Sequence, residues 1–231
     1  ARDYAAFRPS YPGDAVDAVL EGLGDPRQLT IADVGAGTGI SSRLFADRGA
    51  SVIAIEPNAR MRGAAQPHPR VSWRDGTAGD TALPDASVDL VVACQAFHWF
   101  ATPATMREFR RVARRRVAML QYERDESDVF AKAYGEIVRA YATDDTEALR
   151  ARALEIFRAF PHARISAGRV HSEQSLDRHA LLGRVASASY LPTQGSAADA
   201  LRAEIEALFE RHRDGDRVNL MMLTHVLCAD W

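Results

Sequence analysis

Three glycines at alternate positions, Gly35, Gly37 and Gly39, and an acid 21 residues after the first of them, Glu56, have the types and spacing of a ligand site. Glycines set between an apolar run and a helical pattern let the backbone turn sharply and approach a ligand with no Cβ in the way. The helix that such a loop opens turns N–H groups and a positive dipole end toward that ligand. An acid closing the next apolar run is placed to accept hydrogen bonds from both hydroxyls of a ribose. A nucleoside-bearing ligand is the expectation. A pyrophosphate-binding loop has the form G-x-G-x-x-G, but the position of its third glycine is Ile40 here, so a dinucleotide fits the spacing poorly. His98 is the residue best placed for proton transfer, because imidazole titrates near neutrality; beside Trp99 and Phe100 it reads equally as a hydrogen-bonded structural residue.

The elements that must position these residues follow from hydrophobic periodicity. Leu29 to Val34 is a short apolar run, as expected of a buried parallel strand, and Ile40, Leu44 and Phe45 then fall near helical spacing. Ser51 to Ile55 is a second strand, Val71 to Trp73 a third, Val88 to Ala93 a fourth and Val117 to Leu120 a fifth. Helices are expected over Asp14–Leu23, Pro57–Gly63 with proline in the first turn, Pro103–Arg111, Asp128–Ala142, Thr146–Phe160, Ser175–Ala188 and Ala197–His212. Arg164–His171 and Val218–Leu227 complete the strands. This alternation predicts an α/β, doubly wound sheet. Ligands bind such sheets at the carboxyl ends of the strands, so Cys94, Gln95, Ala96, Phe97, His98 and Trp99 are expected to line the site.

The segment Asp33-Val-Gly-Ala-Gly-Thr-Gly39, with Glu56 after it and Leu83-Pro-Asp-Ala-Ser-Val-Asp89 leading into the fourth strand, resembles the class I S-adenosylmethionine-dependent methyltransferases, in particular the small-molecule, type 11-like members. The resemblance implies a Rossmann-like sheet of seven strands, mostly parallel with an antiparallel last strand. It implies S-adenosylmethionine as cofactor and S-adenosylhomocysteine as product. Asp33, Gly35, Ala36, Gly37, Gly39 and Glu56 would hold the cofactor, with Met61 or Pro57 against its adenine. Asp75, Thr77 or the Ala78 N–H would meet the adenine amino group, although the family's glycine-acid order is reversed at Asp75-Gly76. Cys94 and Gln95 would add contacts from the fourth strand. In the segment Tyr4 to Pro12, similar to an arm that crosses the cofactor cleft in the family, Arg8 would meet the cofactor carboxylate. Tyr4, Tyr11, Phe97, His98 and Trp99 would form the acceptor pocket, with His98 as general base. The Pro-Gly-Gly turn usual before the fifth strand is missing at Ala113-Arg-Arg-Arg116, which implies a very short turn or missing residues.

Composition narrows what else the chain does. Its 231 residues, 47% hydrophobic and 26% charged, suit one large core. A net charge of −2 gives no field to draw the molecule to nucleic acid or an anionic membrane, and neither is expected as a partner; a small-molecule acceptor is. Arg110, Arg111, Arg114, Arg115 and Arg116 read as a solvated helix end rather than a phosphate patch. Two distant cysteines, Cys94 and Cys228, make neither a disulfide framework nor a metal site. No signal peptide or long apolar run is evident, so a cytoplasmic location is expected. One lysine against 28 arginines suggests a GC-rich bacterial genome and implies no chemistry; a place in bacterial secondary metabolism is an expectation attached to the small-molecule methyltransferase resemblance. The chain divides into an arm and helix (1–28), a cofactor-binding core (29–122), a helical cap (123–162) and the rest of the sheet (163–231). The competing readings are a cofactor-binding sensor or scaffold without catalysis, and a nicotinamide oxidoreductase. Oligomeric state is not specified.

Overall fold

The computed structural model describes residues 10–188 and 190–231. Seven strands form one sheet in the order β3-β2-β1-β4-β5-β7-β6. They are β1 (Thr30–Val34), β2 (Ser51–Ile55), β3 (Val71–Arg74), β4 (Val88–Cys94), β5 (Ala113–Arg124), β6 (Arg164–Asp177) and β7 (Arg217–Asp230). β1 to β5 pair in parallel, and β7 runs antiparallel between β5 and β6, as the resemblance implied. Every residue of β4 is buried, as a strand covered on both faces requires.

The helices are α1 (Gly13–Leu20), α2 (Ile40–Asp47), α3 (Ala59–Gly63), α4 (Pro103–Val112), α5 (Val129–Tyr141), α6 (Thr146–Ala159), α7 (Arg178–Ala186) and α8 (Ser196–His212). Alternation along β5 divides the core. Ala118, Leu120 and Tyr122 point into a cluster with α1, α2, α5, α7 and α8, while Val117 and Met119 join Met106 and Phe109 of α4 and Phe157 of α6 on the opposite face. The two helices expected in a cap therefore separate: α5 joins α8 in one layer, and α6 covers the other face near β4's carboxyl end.

Local chemistry moves several boundaries. Asn58 caps α3 by accepting from the Arg60 N–H at 2.9 Å, so Pro57 precedes the helix instead of starting it. Ser175 lies in β6, and the next helix starts at Arg178 because Asp177 accepts the Ala180 N–H at 2.7 Å. α4 ends at Val112 and β5 begins at Ala113, so the expected turn has no length. Of the arginines beyond it, Arg114 and Arg115 are exposed as expected but also tied to the protein, and Arg116 is buried. Arg114 pairs with Asp89 at 2.9 Å, and Arg115 donates to the Leu23 carbonyl at 2.7 Å. Buried Arg116 pairs with Asp230 and donates to the Val19 and Glu21 carbonyls at the end of α1.

One tie fixes the loop between β3 and β4. Glu108 of α4 accepts from both the N–H and the hydroxyl of Thr81, at 2.9 and 2.6 Å, and pairs with Arg111 at 2.7 Å. The Arg111 hydrogen bond first, and the Thr81 donors after it, hold the Glu108 carboxyl down at about 2. A depressed carboxylate contributes stability that is complete above the unfolded-state value of about 4.3 and is lost as pH falls through about 2. Because Arg111 is partly exposed, solvent screening reduces the effect to about 1–2 kcal/mol. Glu108→Gln should therefore lower stability by about that much at pH 7, and urea denaturation should show the gap narrowing below about pH 4. A gap of constant size down to pH 2 would contradict the assignment.

Candidate active site

The glycine loop sits at the carboxyl end of β1, with φ of +74°, +60° and +75° at Gly35, Gly37 and Gly39. Each glycine answers a different neighbour. A Cβ on Gly35 would stand 2.8 Å from the Ala96 Cβ, and one on Gly39 would stand 2.8 Å from the Trp73 ring, so both are packing positions. A Cβ on Gly37 would meet only Met61 Cε, at 3.6 Å, and points into open space. The loop's N–H groups are mostly spent within the protein: Gly35 and Ala36 both donate to the Ile55 carbonyl, and Gly39 donates to Ala36. That corrects the expectation of a free amide cradle, and it agrees with a ligand lacking a pyrophosphate.

Glu56 closes β2 and is 9% exposed. Its Oε2 accepts the Gly37 N–H and its Oε1 the Asn58 N–H, each at 2.9 Å, which fixes the carboxylate over the glycine loop. Met61 comes from the first turn of α3, and exposed Pro57 lies just before it. Arg62 donates to the Glu56 carbonyl and pairs with Asp75 at 3.2 Å, which brings the β3–β4 loop against this site. Thr77 accepts the Asp80 N–H through its hydroxyl at 3.1 Å, and Ala78 is buried in the core.

Asp33, expected among the residues that hold the cofactor, is fully buried beneath the loop. Its Oδ2 accepts the hydroxyls of Ser41 and Ser42 at 2.7 and 2.6 Å, pinning the first turn of α2. Burial raises its pKa despite those bonds. Among the described residues its Oδ1 and the Thr38 Oγ1 are buried without hydrogen-bond partners. Cys94 is buried nearby, and burial followed by the Asp33 charge pushes its thiol well up.

The end of β4 is held by Gln95, which adopts a positive φ of 52°. Its side chain accepts the Tyr122 N–H at 3.0 Å and donates to the Tyr122 carbonyl at 3.1 Å, extending the β4–β5 ladder beyond its last strand residue. Phe97, expected in the pocket, is instead core: it is 2% exposed and packs on Phe100, Phe109 and Phe157. His98 is buried in the same 3-10 turn, Phe97–Trp99, with its ring 4.7 Å from that of Trp99. Trp99 is 55% exposed. Tyr11 is likewise packed inside, its ring 5.6 Å from that of Tyr122. Tyr4 and Arg8 lie outside the described residues.

Residues 32–120, from β1 through most of β5, match the family model of a methyltransferase domain. Over that segment the chain is similar to the methyltransferases, in keeping with the resemblance to the class I S-adenosylmethionine-dependent family. An uncharacterised methyltransferase of Mycobacterium bovis is 29% identical over 230 residues, 98% of this chain and 85% of its own. One from Schizosaccharomyces pombe is 25% identical, covering 96% and 91%. The solved structure of a protein assigned as a type II methyltransferase, from Anaeromyxobacter dehalogenans, superposes with a TM-score of 0.73 at 25% identity over 97% of both chains.

The chain also has a cavity of about 800 Å³ that the sequence did not reveal. It lies between α6 and the β5–β7–β6 face, with Met119, Leu154 and Leu227 among its apolar walls and Arg150 and the His225–Glu123 pair, 2.7 Å apart, among its polar ones. Among the described residues no helix is long and apolar enough to cross a membrane, and no cluster of His, Cys, Asp and Glu is arranged to hold a metal.

Proposed function

We propose that this methyltransferase binds S-adenosylmethionine on the glycine loop and transfers its methyl group to an oxygen, nitrogen or carbon of a small, partly apolar molecule. The observation that carries the reading is the Glu56 carboxylate, fixed over Gly37 at the end of β2 with lone pairs to spare for ribose hydroxyls. The open space beside Gly37 and the orphaned buried oxygens of Asp33 and Thr38 support it. Bacterial secondary metabolism is the proposed setting, on the resemblance to small-molecule methyltransferases and a partly apolar cavity alone.

When bound, the cofactor supplies a methyl already activated by its sulfonium charge. The chain's own work is orientation and exclusion of water. Glu56 accepts the ribose hydroxyls, Met61 packs against the base, and the backbone at Gly37 permits close approach. His98, following β4, takes the acceptor proton where the acceptor is not already ionised. An acceptor library screened for S-adenosylhomocysteine release tests this. His98→Gln should leave cofactor affinity intact, lower the single-turnover rate by about 10²–10⁴ and remove its rise with pH through the histidine range. Wild-type rates in His98→Gln, with the same pH profile, would place His98 in the wall and leave positioning as the whole of catalysis.

A further inference from the structure

Arg150 enters α6 on the side that faces the sheet, one turn before Leu154 and two before Phe157. A guanidinium on the buried face of a helix needs acceptors, because a desolvated cation without them is costly. Among the described residues its Nε is fully buried and has no hydrogen-bond partner. Most other charges of the cavity have partners or face water: Arg139 pairs with Glu126 at 2.5 Å, His225 with Glu123 at 2.7 Å and Asp125 with His171 at 3.0 Å; Arg124, whose Nε also lacks a hydrogen bond, stands 3.5 and 3.6 Å from Glu126 and Glu147; Arg158 and Arg169 are exposed. Glu123 acts on Arg150 only through space, and burial outweighs it, pulling the guanidinium pKa below its ordinary value.

Position makes this more than an isolated orphan. Arg150, Glu123 and Arg124 line both the 800 Å³ cavity and a narrow space that reaches Gln95 at the end of β4. Arg150 therefore stands where the large cavity meets the strand end beside which the proposed reaction takes place. Of the lining arginines that are not exposed, Arg124 and Arg150, only Arg150 has no ion pair among the described residues, and one such guanidinium matches one negative charge rather than two. Met119, Leu154 and Leu227 supply apolar wall for the rest of the ligand.

We propose that this cavity is the acceptor site and that Arg150 anchors a carboxylate in it, so that the methyl acceptor is a small organic monoacid with an apolar body. The proposal rests on the methyltransferase reading for the reaction, but not for the binding. In the full-length chain, the Arg150 Nε–H resonance, assigned by its loss in Arg150→Met, is followed during titration with hexanoate, benzoate and phenylacetate and with their amides. The acids should shift the resonance and bind at least about tenfold more tightly than the amides. Arg150→Met, which keeps the apolar stem, should abolish that preference, and Arg150→Lys should restore part of it. Equal binding of acids and amides, acid binding unchanged in Arg150→Met, or no binding by any acid would overturn the proposal. A response to inorganic phosphate as strong as that to the acids would overturn the monoacid class. S-adenosylmethionine affinity on the same samples keeps the two readings apart. It should be equal in wild type and Arg150→Met, and its absence from wild type would strike the methyltransferase proposal while leaving the carboxylate result standing.

Discussion

Replacing Glu56 by alanine should weaken S-adenosylmethionine binding about tenfold to several thousandfold, more than any other single acid-to-alanine change. The carboxylate has two duties. It would accept two ribose hydroxyls, charge-assisted bonds worth roughly 1.5–3 kcal/mol each, and it already holds the Gly37 and Asn58 N–H groups at 2.9 Å. Alanine removes the ligand contacts and releases the loop that frames them. Glu56→Gln keeps one oxygen acceptor in the same shape, so its loss should fall between wild type and alanine. An unchanged dissociation constant in a folded Glu56→Ala protein would remove Glu56 from the site.

Gly37→Val should abolish cofactor binding while leaving the fold in place. At φ of +60° a β-branched residue is strained, at a cost on the order of 1–3 kcal/mol. Its Cβ meets only the flexible end of Met61, at 3.6 Å, so the interior is otherwise undisturbed. The new methyl groups occupy the space assigned to the ligand. Gly35→Ala and Gly39→Ala make the contrasting pair, because their Cβ atoms would drive into Ala96 and the Trp73 ring, at 2.8 Å each, and damage packing first. A folded Gly37→Val protein that binds at wild-type strength would take the loop out of the cofactor site.

The sheet from β1 to β4 and the glycine loop with Glu56 beside it were legible in the sequence because their signals are local: a glycine spacing, a short apolar run, an acid at a fixed distance. The glycines' different duties were not legible. That Gly39 makes room for Trp73 depends on where β3 lies, which no local pattern states. Asp33 and Cys94 were placed in the cleft by motif position, yet both face beneath the loop, the first toward Ser41 and Ser42. Phe97 follows the strand end where ligand contacts are expected, but α6 packs against that turn and makes it core. Arg115 and Arg116 donate to carbonyls in and just after α1, more than 90 residues earlier, a pairing that composition cannot show. Arg150 did carry a readable sign, a cation on the apolar stripe of an amphipathic helix shared with Leu154 and Phe157.

The most direct test of the account is calorimetric titration of S-adenosylmethionine into wild type, Glu56→Ala and Gly37→Val, with a nicotinamide dinucleotide titrated into wild type beside them. The account predicts saturable one-to-one binding of S-adenosylmethionine to wild type, strong weakening in Glu56→Ala, none in Gly37→Val, and no binding of the dinucleotide. Folded wild-type protein that gives no heat with S-adenosylmethionine, or that binds the dinucleotide instead, would contradict it.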